Sequence, residues 1–161
     1  MLECMYRQAR QGRQPLKIIG IIEITVKDGK GRVKYRIIRR NLITDAGIQY
    51  IVQALAAQVT LAAFKYIAIG TGTTSPSGSD TALESEVARQ EGTITIESTN
   101  ISNDTLRVDA SFTFEASYSI SESGLFNALS GGTMLARQTF DPISVEPGFT
   151  LDVTWRIIVS R

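Results

Sequence analysis

The chain has 161 residues, 43% of them hydrophobic, and a formal net charge of +1, which suits one globular domain plus an arm. It contains no His and a single cysteine, Cys4, so an intramolecular disulfide, a cysteine or histidine metal cluster and histidine-dependent catalysis are excluded. No apolar run reaches the ~18–20 residues of a membrane helix, and none resembles a signal peptide. We therefore expect a soluble protein made in a cytosol.

The basic residues are concentrated at the start of the chain. Residues 1–40 hold 11 Lys and Arg against 3 Asp and Glu, a balance of +8, whereas residues 41–161 hold 6 against 13, a balance of −7. Because opposite charges attract, the two parts should contact each other or each other's copies.

Residues 1–16 are predicted to form an extended basic arm, since Gly12 and Pro15 oppose a lasting helix. The arm is either a solvated tail or a segment that becomes ordered on an acidic neighbour. In the second case, four basic residues spaced by three or four would bind the partner: Arg7, Arg10, Arg13 and Lys17. Nucleic acid is a weaker alternative, because only one aromatic residue, Tyr6, lies among them.

The next two segments alternate as the strands of a hairpin do. Residues 17–26 are rich in Ile, and residues 32–39 return with one apolar and one strongly basic face. A helix follows, with Thr44 as its cap and Asp45 in its first turn. Its apolar residues recur at i, i+3, i+4 and i+7, which predicts that one stripe packs across a sheet as core: Ile48, Ile51, Val52 and Leu55.

A glycine-rich loop occupies residues 70–80, after a short strand predicted within residues 64–69. Its spacing matches neither a Walker loop nor a dinucleotide-binding turn, which disfavours phosphate binding. Ser79 or Asp80 is predicted to cap a short helix over residues 81–89, with Leu83 and Val87 facing inward.

Three later segments alternate apolar and polar residues with the period of a strand. Residues 92–98 and 106–114 form a predicted hairpin, and residues 149–159 form the last strand, in which Trp155 lies on the apolar face. With about eight or nine short strands, the predicted fold is mainly β. We expect an antiparallel β-sandwich, jelly-roll-like, with one main α-helix packed on it, formed by residues 17–161 as a single domain.

The carboxylates form no evident catalytic pair. Glu122, beside Gly124, is the best candidate for chemistry, yet its first interpretation is a carboxylate that accepts backbone hydrogen bonds in a tight turn. Asp104 and Asp109 are the closest pair for a metal. We therefore expect a protein that is not an enzyme and needs no cofactor and no metal.

Five short motifs resemble a widespread family of structural proteins of tailed phages and prophages. They are YIAIGTGTT (66–74), DTALESEVAR (80–89), ESGLFN (122–127), TMLAR (133–137) and VTWRI (153–157). Members of that family are described loosely as tail-fibre, tail-collar or minor virion proteins. The resemblance covers residues 41–161 approximately and implies a β-sandwich virion component that acts through contacts, often as a homotrimer. Residues 1–40 do not share it.

Three classes of function follow. The first expectation is a capsid decoration or cement protein that binds the major capsid protein, because the chain is a short domain with an arm and lacks the shaft of a full fibre. The alternative is a tail, collar or baseplate component that contacts tail proteins. A virion hydrolase is disfavoured by the missing histidine and the scattered carboxylates. Either structural role places the chain in the virion, assembled in the host cytoplasm, with other virion proteins as partners and no membrane contact.

Overall fold

The structure is a computed structural model that describes residues 15–161, and it is mainly β as predicted. These residues form nine strands and one helix, α1 (Asp45–Leu55). The strands are β1 (Lys17–Lys27), β2 (Val33–Ile43), β3 (Tyr66–Gly70), β4 (Glu86–Glu91), β5 (Thr93–Glu97), β6 (Thr105–Thr113), β7 (Tyr118–Phe126), β8 (Met134–Val145) and β9 (Thr150–Ser160). The predicted arm lies almost wholly outside the described residues. Within residues 15–161, α1 is the one helix, and it is not long and apolar enough to cross a bilayer.

All nine strands belong to one antiparallel sheet in the order β4-β3-β7-β8-β2-β1-β9-β6-β5. The outermost strands, β4 and β5, are separated in sequence only by Gly92, so the sheet curls until its two edges meet at that corner. A Cβ atom on Gly92 would lie 2.8 Å from the carbonyl oxygen of Asp109, which explains why the corner needs a glycine. The result is a nearly closed sheet, and the finer prediction of a jelly-roll-like sandwich is not established by it.

The core lies inside this curled sheet and follows the alternation of the strands. In β9, Leu151, Val153 and Trp155 are buried, as the period of two predicts. Trp155 is fully buried, which confirms the prediction made for it, and its Nε1 donates a hydrogen bond to Ser123 Oγ at 3.2 Å. Because the indole N–H has a partner, the burial of this large side chain leaves no polar group unsatisfied.

Helix α1 forms where predicted, and Thr44 caps it by accepting a hydrogen bond from the amide of Gly47 at 3.0 Å. The prediction that its apolar stripe is core was wrong for three of the four residues, and only Ile51 packs against the core. Ile48, Val52 and Leu55 are exposed, Val52 by 60% and Leu55 by 85% of their surface. Gly47 faces the sheet instead, together with the partly buried Tyr50, Ile51 and Ala54, so the helix is rotated by about 100°, one residue, from the predicted orientation.

The helix predicted over residues 81–89 was also wrong. Residues 81–85 form an irregular loop, and β4 then pairs with β3 from Glu86↔Gly70 to Glu91↔Tyr66. The i, i+4 spacing of Leu83 and Val87 is compatible with a helix, but the unpaired edge of β3 offers a complete ladder of hydrogen bonds. Tertiary pairing therefore overrides the local pattern.

Candidate interaction surfaces and the buried Glu122 cluster

Glu122 lies in the middle of β7 and is fully buried. Its Oε1 accepts hydrogen bonds from the backbone amides of Gly72 at 3.0 Å and Ser85 at 2.7 Å, and its Oε2 accepts one from the amide of Glu84 at 3.1 Å. The carboxylate does accept backbone hydrogen bonds, as interpreted from the sequence. However, the amides belong to the loop between β3 and β4 and not to a turn around Glu122 itself.

Arg137 of β8 neutralises this buried carboxylate. Its Nε and Nη2 donate to Glu122 Oε2 at 3.1 and 2.8 Å, and its Nη1 donates to Asp80 at 2.8 Å. Burial alone would lower the pKa of Arg137, but the hydrogen bonds to Glu122 and Asp80 outweigh it and hold that pKa above its usual value. Glu122, Arg137 and Asp80, with the amides they bind, are referred to below as the Glu122 cluster.

The backbone amides of the glycine-rich loop donate hydrogen bonds to carboxylates of the protein itself. Besides the Gly72 amide, which binds Glu122, the amides of Thr73 and Thr74 both donate to Glu84 at 2.8 Å. Hydrogen bonds from Thr74 and Thr73 lower the pKa of Glu84. Because backbone amides are the groups that bind phosphate in glycine-rich loops, and three of these already bind carboxylates, the geometry agrees with the sequence in disfavouring a phosphate site.

The other two candidate carboxylates, Asp104 and Asp109, each bind a different set of partners. Asp104 is buried in the β5–β6 turn, where it accepts hydrogen bonds from the amides of Thr99, Asn100 and Ile101 at 2.7 to 3.0 Å. The hydrogen bond from Ile101 and those from its neighbours hold the pKa of Asp104 well below its usual range. Asp109 pairs with Arg107. Within the described residues no three His, Cys, Asp or Glu side chains are grouped as metal ligands.

Only one of the four predicted partner-binding residues lies within the described residues. Arg7, Arg10 and Arg13 lie outside the described residues, so their role stays a prediction. Lys17 is the first residue of β1, is exposed, and pairs with Ser160 in the β1–β9 ladder. Whether the four residues share one surface therefore stays a prediction, and within residues 15–161 two other surfaces are candidates for contacts.

The first surface is the helix patch, defined by Ile48, Val52 and Leu55. These residues lie at i, i+4 and i+7, so they share one face of α1, and all three are exposed. Three exposed apolar side chains on one helix face make this patch a candidate surface for contact with another molecule.

The second surface is the outer edge of β2. This strand pairs with β1 from Val33 to Asn41, but it pairs with β8 only through Leu42 and Ile43. Within residues 15–161, most of its length therefore has a neighbouring strand on one side alone. The alternation of basic and apolar residues in this strand is evident in the sequence, but its position at an open edge is not.

The five motifs that carry the family resemblance converge on the Glu122 cluster. The first two form the loop that Glu122 binds, the third and fourth supply Glu122 and Arg137, and the fifth supplies Trp155, which donates to Ser123 next to Glu122. No family model, curated protein or solved structure matches this chain. The family resemblance accordingly stays a hypothesis that rests on these motifs.

Proposed function

We propose that this chain is a structural component of a tailed-phage virion that works by contacts and not by catalysis. The first assignment is a capsid decoration or cement protein that assembles as a homo-oligomer on the shell. In this proposal the nearly closed sheet is a jelly-roll-like sandwich, with β5-β6-β9-β1-β2 as one layer and β2-β8-β7-β3-β4 as the other. One core cluster contains buried residues from both layers, including Val108 and Trp155 from the first and Ile67 and Leu125 from the second, which supports that view.

The exposed helix patch is the observation that carries the proposal. A helix whose inward face is Gly47, Tyr50, Ile51 and Ala54, and whose larger aliphatic residues face solvent, is unfavourable in an isolated monomer. If the same patch of another copy covered this patch, each Å² of buried apolar surface would stabilise the assembly by about 25 cal/mol. Self-association through α1 is what a homo-oligomeric virion component needs.

The Glu122 cluster also supports a structural role. Four polar or aromatic residues of the motifs, Glu122, Ser123, Arg137 and Trp155, are buried and hydrogen-bonded within the protein, which supports a role in maintaining the fold. The alternative location, in a tail, collar or baseplate, rests on the same features and is separated from the first by where the chain lies on the particle.

Self-association is tested with surface variants of α1. The double variant Val52→Lys/Leu55→Lys removes the helix patch and keeps good helix formers, whereas Gln49→Lys/Gln53→Lys places the same charges at exposed polar positions of the same helix. We expect light scattering after size-exclusion chromatography to give an oligomer for the wild type and the control, and a folded monomer for Val52→Lys/Leu55→Lys. A monomeric wild-type protein at micromolar concentrations would contradict the proposal.

The location is tested by immuno-electron microscopy of particles released from a lysogen that carries this coding sequence. Label distributed over the heads supports the decoration role, and label confined to the tail supports the alternative. Particles that carry no label on either part would rule out a virion component.

A further inference from the structure

The open edge of β2 is a template for an added strand. In an antiparallel strand, the N–H and C=O groups of every second residue point away from the paired neighbour. Beyond the last β2–β8 pair, Leu42↔Arg137, the two strands diverge and leave a cleft between Arg39 and residues 139–142. The carbonyl of Ile38 accepts a hydrogen bond from the guanidinium of Arg39 at 3.1 Å, so its partner is a side chain and not a strand.

The edge is strongly basic, and its positive charge is only partly neutralised by ion pairs. Five basic residues lie on or next to it, of which Arg32 pairs with Asp28 and Arg36 with Glu23. The other three have no ion pair within residues 15–161: Lys34, Arg39 and Arg40. Within residues 15–161, positive charge is thus concentrated along β2, a strand whose outer edge is largely unpaired.

Charged residues on an edge strand often serve only to prevent unwanted pairing. That explanation does not account for the apolar residues of the same strand, because Val33, Tyr35 and Ile38 are each more than half exposed. Tyr35, Ile37 and Arg39 lie on one face of β2, opposite the buried Val26, Ile24 and Ile22 of β1, and Arg36, Ile38 and Arg40 lie on the other. One face is therefore mainly apolar and the other mainly basic. An edge that combines exposed apolar side chains with unneutralised basic side chains suits a specific partner.

We propose that the open edge of β2 binds an extended acidic segment of a partner protein, which adds to the sheet as an antiparallel or parallel strand. The partner strand would place Asp or Glu opposite the basic face and β-branched or aromatic residues opposite the apolar face, so its sequence alternates acidic and apolar residues. This inference goes beyond the proposed function, because it concerns a different surface and does not depend on the kind of particle.

The experiment uses the full chain and a labelled peptide, acetyl-Thr-Glu-Val-Glu-Ile-Glu-Val-Glu-amide, with fluorescence anisotropy as the readout. Two control peptides separate the contributions: one carries Lys in place of every Glu, and one carries an N-methyl group on every residue of the acidic sequence. We expect the acidic peptide to bind, the lysine peptide not to bind, and N-methylation to weaken binding about tenfold or more, because it removes the backbone donors from both edges of the added strand.

Protein variants locate the binding to β2. We expect Lys34→Glu/Arg40→Glu to weaken binding of the acidic peptide about tenfold or more and Arg161→Glu, an exposed charge reversal elsewhere, to leave it within about twofold. Equal binding of the N-methylated and unmodified peptides would overturn strand addition, as would absence of binding by the acidic peptide. A change in oligomeric state caused by Lys34→Glu/Arg40→Glu would also overturn the proposal, since the edge would then be occupied by a second copy of this chain.

Discussion

Glu122 connects three parts of the chain that are distant in sequence: the loop after β3, the residues before β4, and Arg137 of β8. Glu122→Gln keeps the shape of the side chain but removes its charge, which leaves the buried guanidinium of Arg137 with Asp80 as its one remaining ionic partner in the cluster. We expect the free energy of unfolding to fall by about 3–5 kcal/mol. Urea denaturation monitored by the fluorescence of Trp155 measures the change.

The matched control for this prediction is Glu115→Gln, the same chemical change at an exposed position without a side-chain hydrogen bond in the structure. It should alter stability by less than about 0.5 kcal/mol. If both variants were equally stable, the Glu122 cluster would have no structural importance and the motifs that form it would need another explanation.

Asp104 makes stability depend on pH in a predictable direction. Its pKa is lowered in the folded protein by the amide hydrogen bonds from Ile101 and its neighbours, whereas in the unfolded chain it returns to about 4. The stabilisation is therefore complete above about pH 5 and is lost as the pH falls toward the lower folded-state pKa. Asp104→Asn should be less stable than the wild type at pH 7, and the difference should shrink between about pH 4 and pH 2.

The measurement for Asp104 is urea denaturation of both proteins at a series of pH values. Asp141→Asn, at an exposed position in β8 whose side chain forms no hydrogen bond in the structure, is the control and should follow the wild type throughout. A constant difference between Asp104→Asn and the wild type from pH 7 down to pH 2 would show that the carboxylate charge is not responsible.

At the scale of the element, α1 is positioned by a glycine. Replacing a glycine inside a helix with alanine ordinarily stabilises it by about 1 kcal/mol. At Gly47, however, a Cβ atom would lie 2.7 Å from the carbonyl oxygen of Leu135 and 2.9 Å from its Cα. We expect Gly47→Ala to reverse the usual sign and to destabilise the protein by about 1–3 kcal/mol in thermal or urea denaturation, because α1 must move away from β8.

Gln49→Ala is the control for Gly47→Ala, since Gln49 is exposed on the same helix. It should be neutral or slightly stabilising, by no more than about 0.5 kcal/mol. A stabilising Gly47→Ala would mean that α1 does not pack closely on β8.

The elements that could be predicted are those whose sequence pattern has one structural solution. In β6 and β9 the alternation of large apolar and polar residues runs over a whole strand, and Thr44 followed by Asp45 marks the start of α1. The orientation of α1 could not be predicted, because the largest apolar residues indicate one inward face, whereas the close approach of Gly47 to Leu135 requires another. Strand β4 could not be predicted, because residues 86–91 form a strand by pairing with the edge of β3, which no local pattern indicates.

At the scale of the whole molecule, the strand order and the candidate surfaces depend on contacts that no local pattern contains. The basic face of β2 is readable in residues 32–40, but the strand becomes an open edge only because β8 pairs with no more than Leu42 and Ile43. Likewise, Glu122 could be singled out from its neighbours, but its partners lie in segments that begin about 15 and 40 residues away along the chain. The sequence therefore predicts the apolar and polar faces of a strand better than it predicts which strands become neighbours.

The position of β1 between β2 and β9 has a consequence for biosynthesis. Its ladder with β9 pairs Lys17 with Ser160 and Lys27 with Thr150. The strand in the middle of the sheet can therefore pair fully only after β9, the last of the nine strands to be translated, has been made. Until β9 emerges, β1 and β6 each lack a neighbour, and the side chains of Ile22, Ile24 and Val108 have no Trp155 to pack with. Folding of the sheet can therefore be completed only after residue 160 has been translated, and the apolar side chains of β1 and β6 that pack against β9 lack that contact until then.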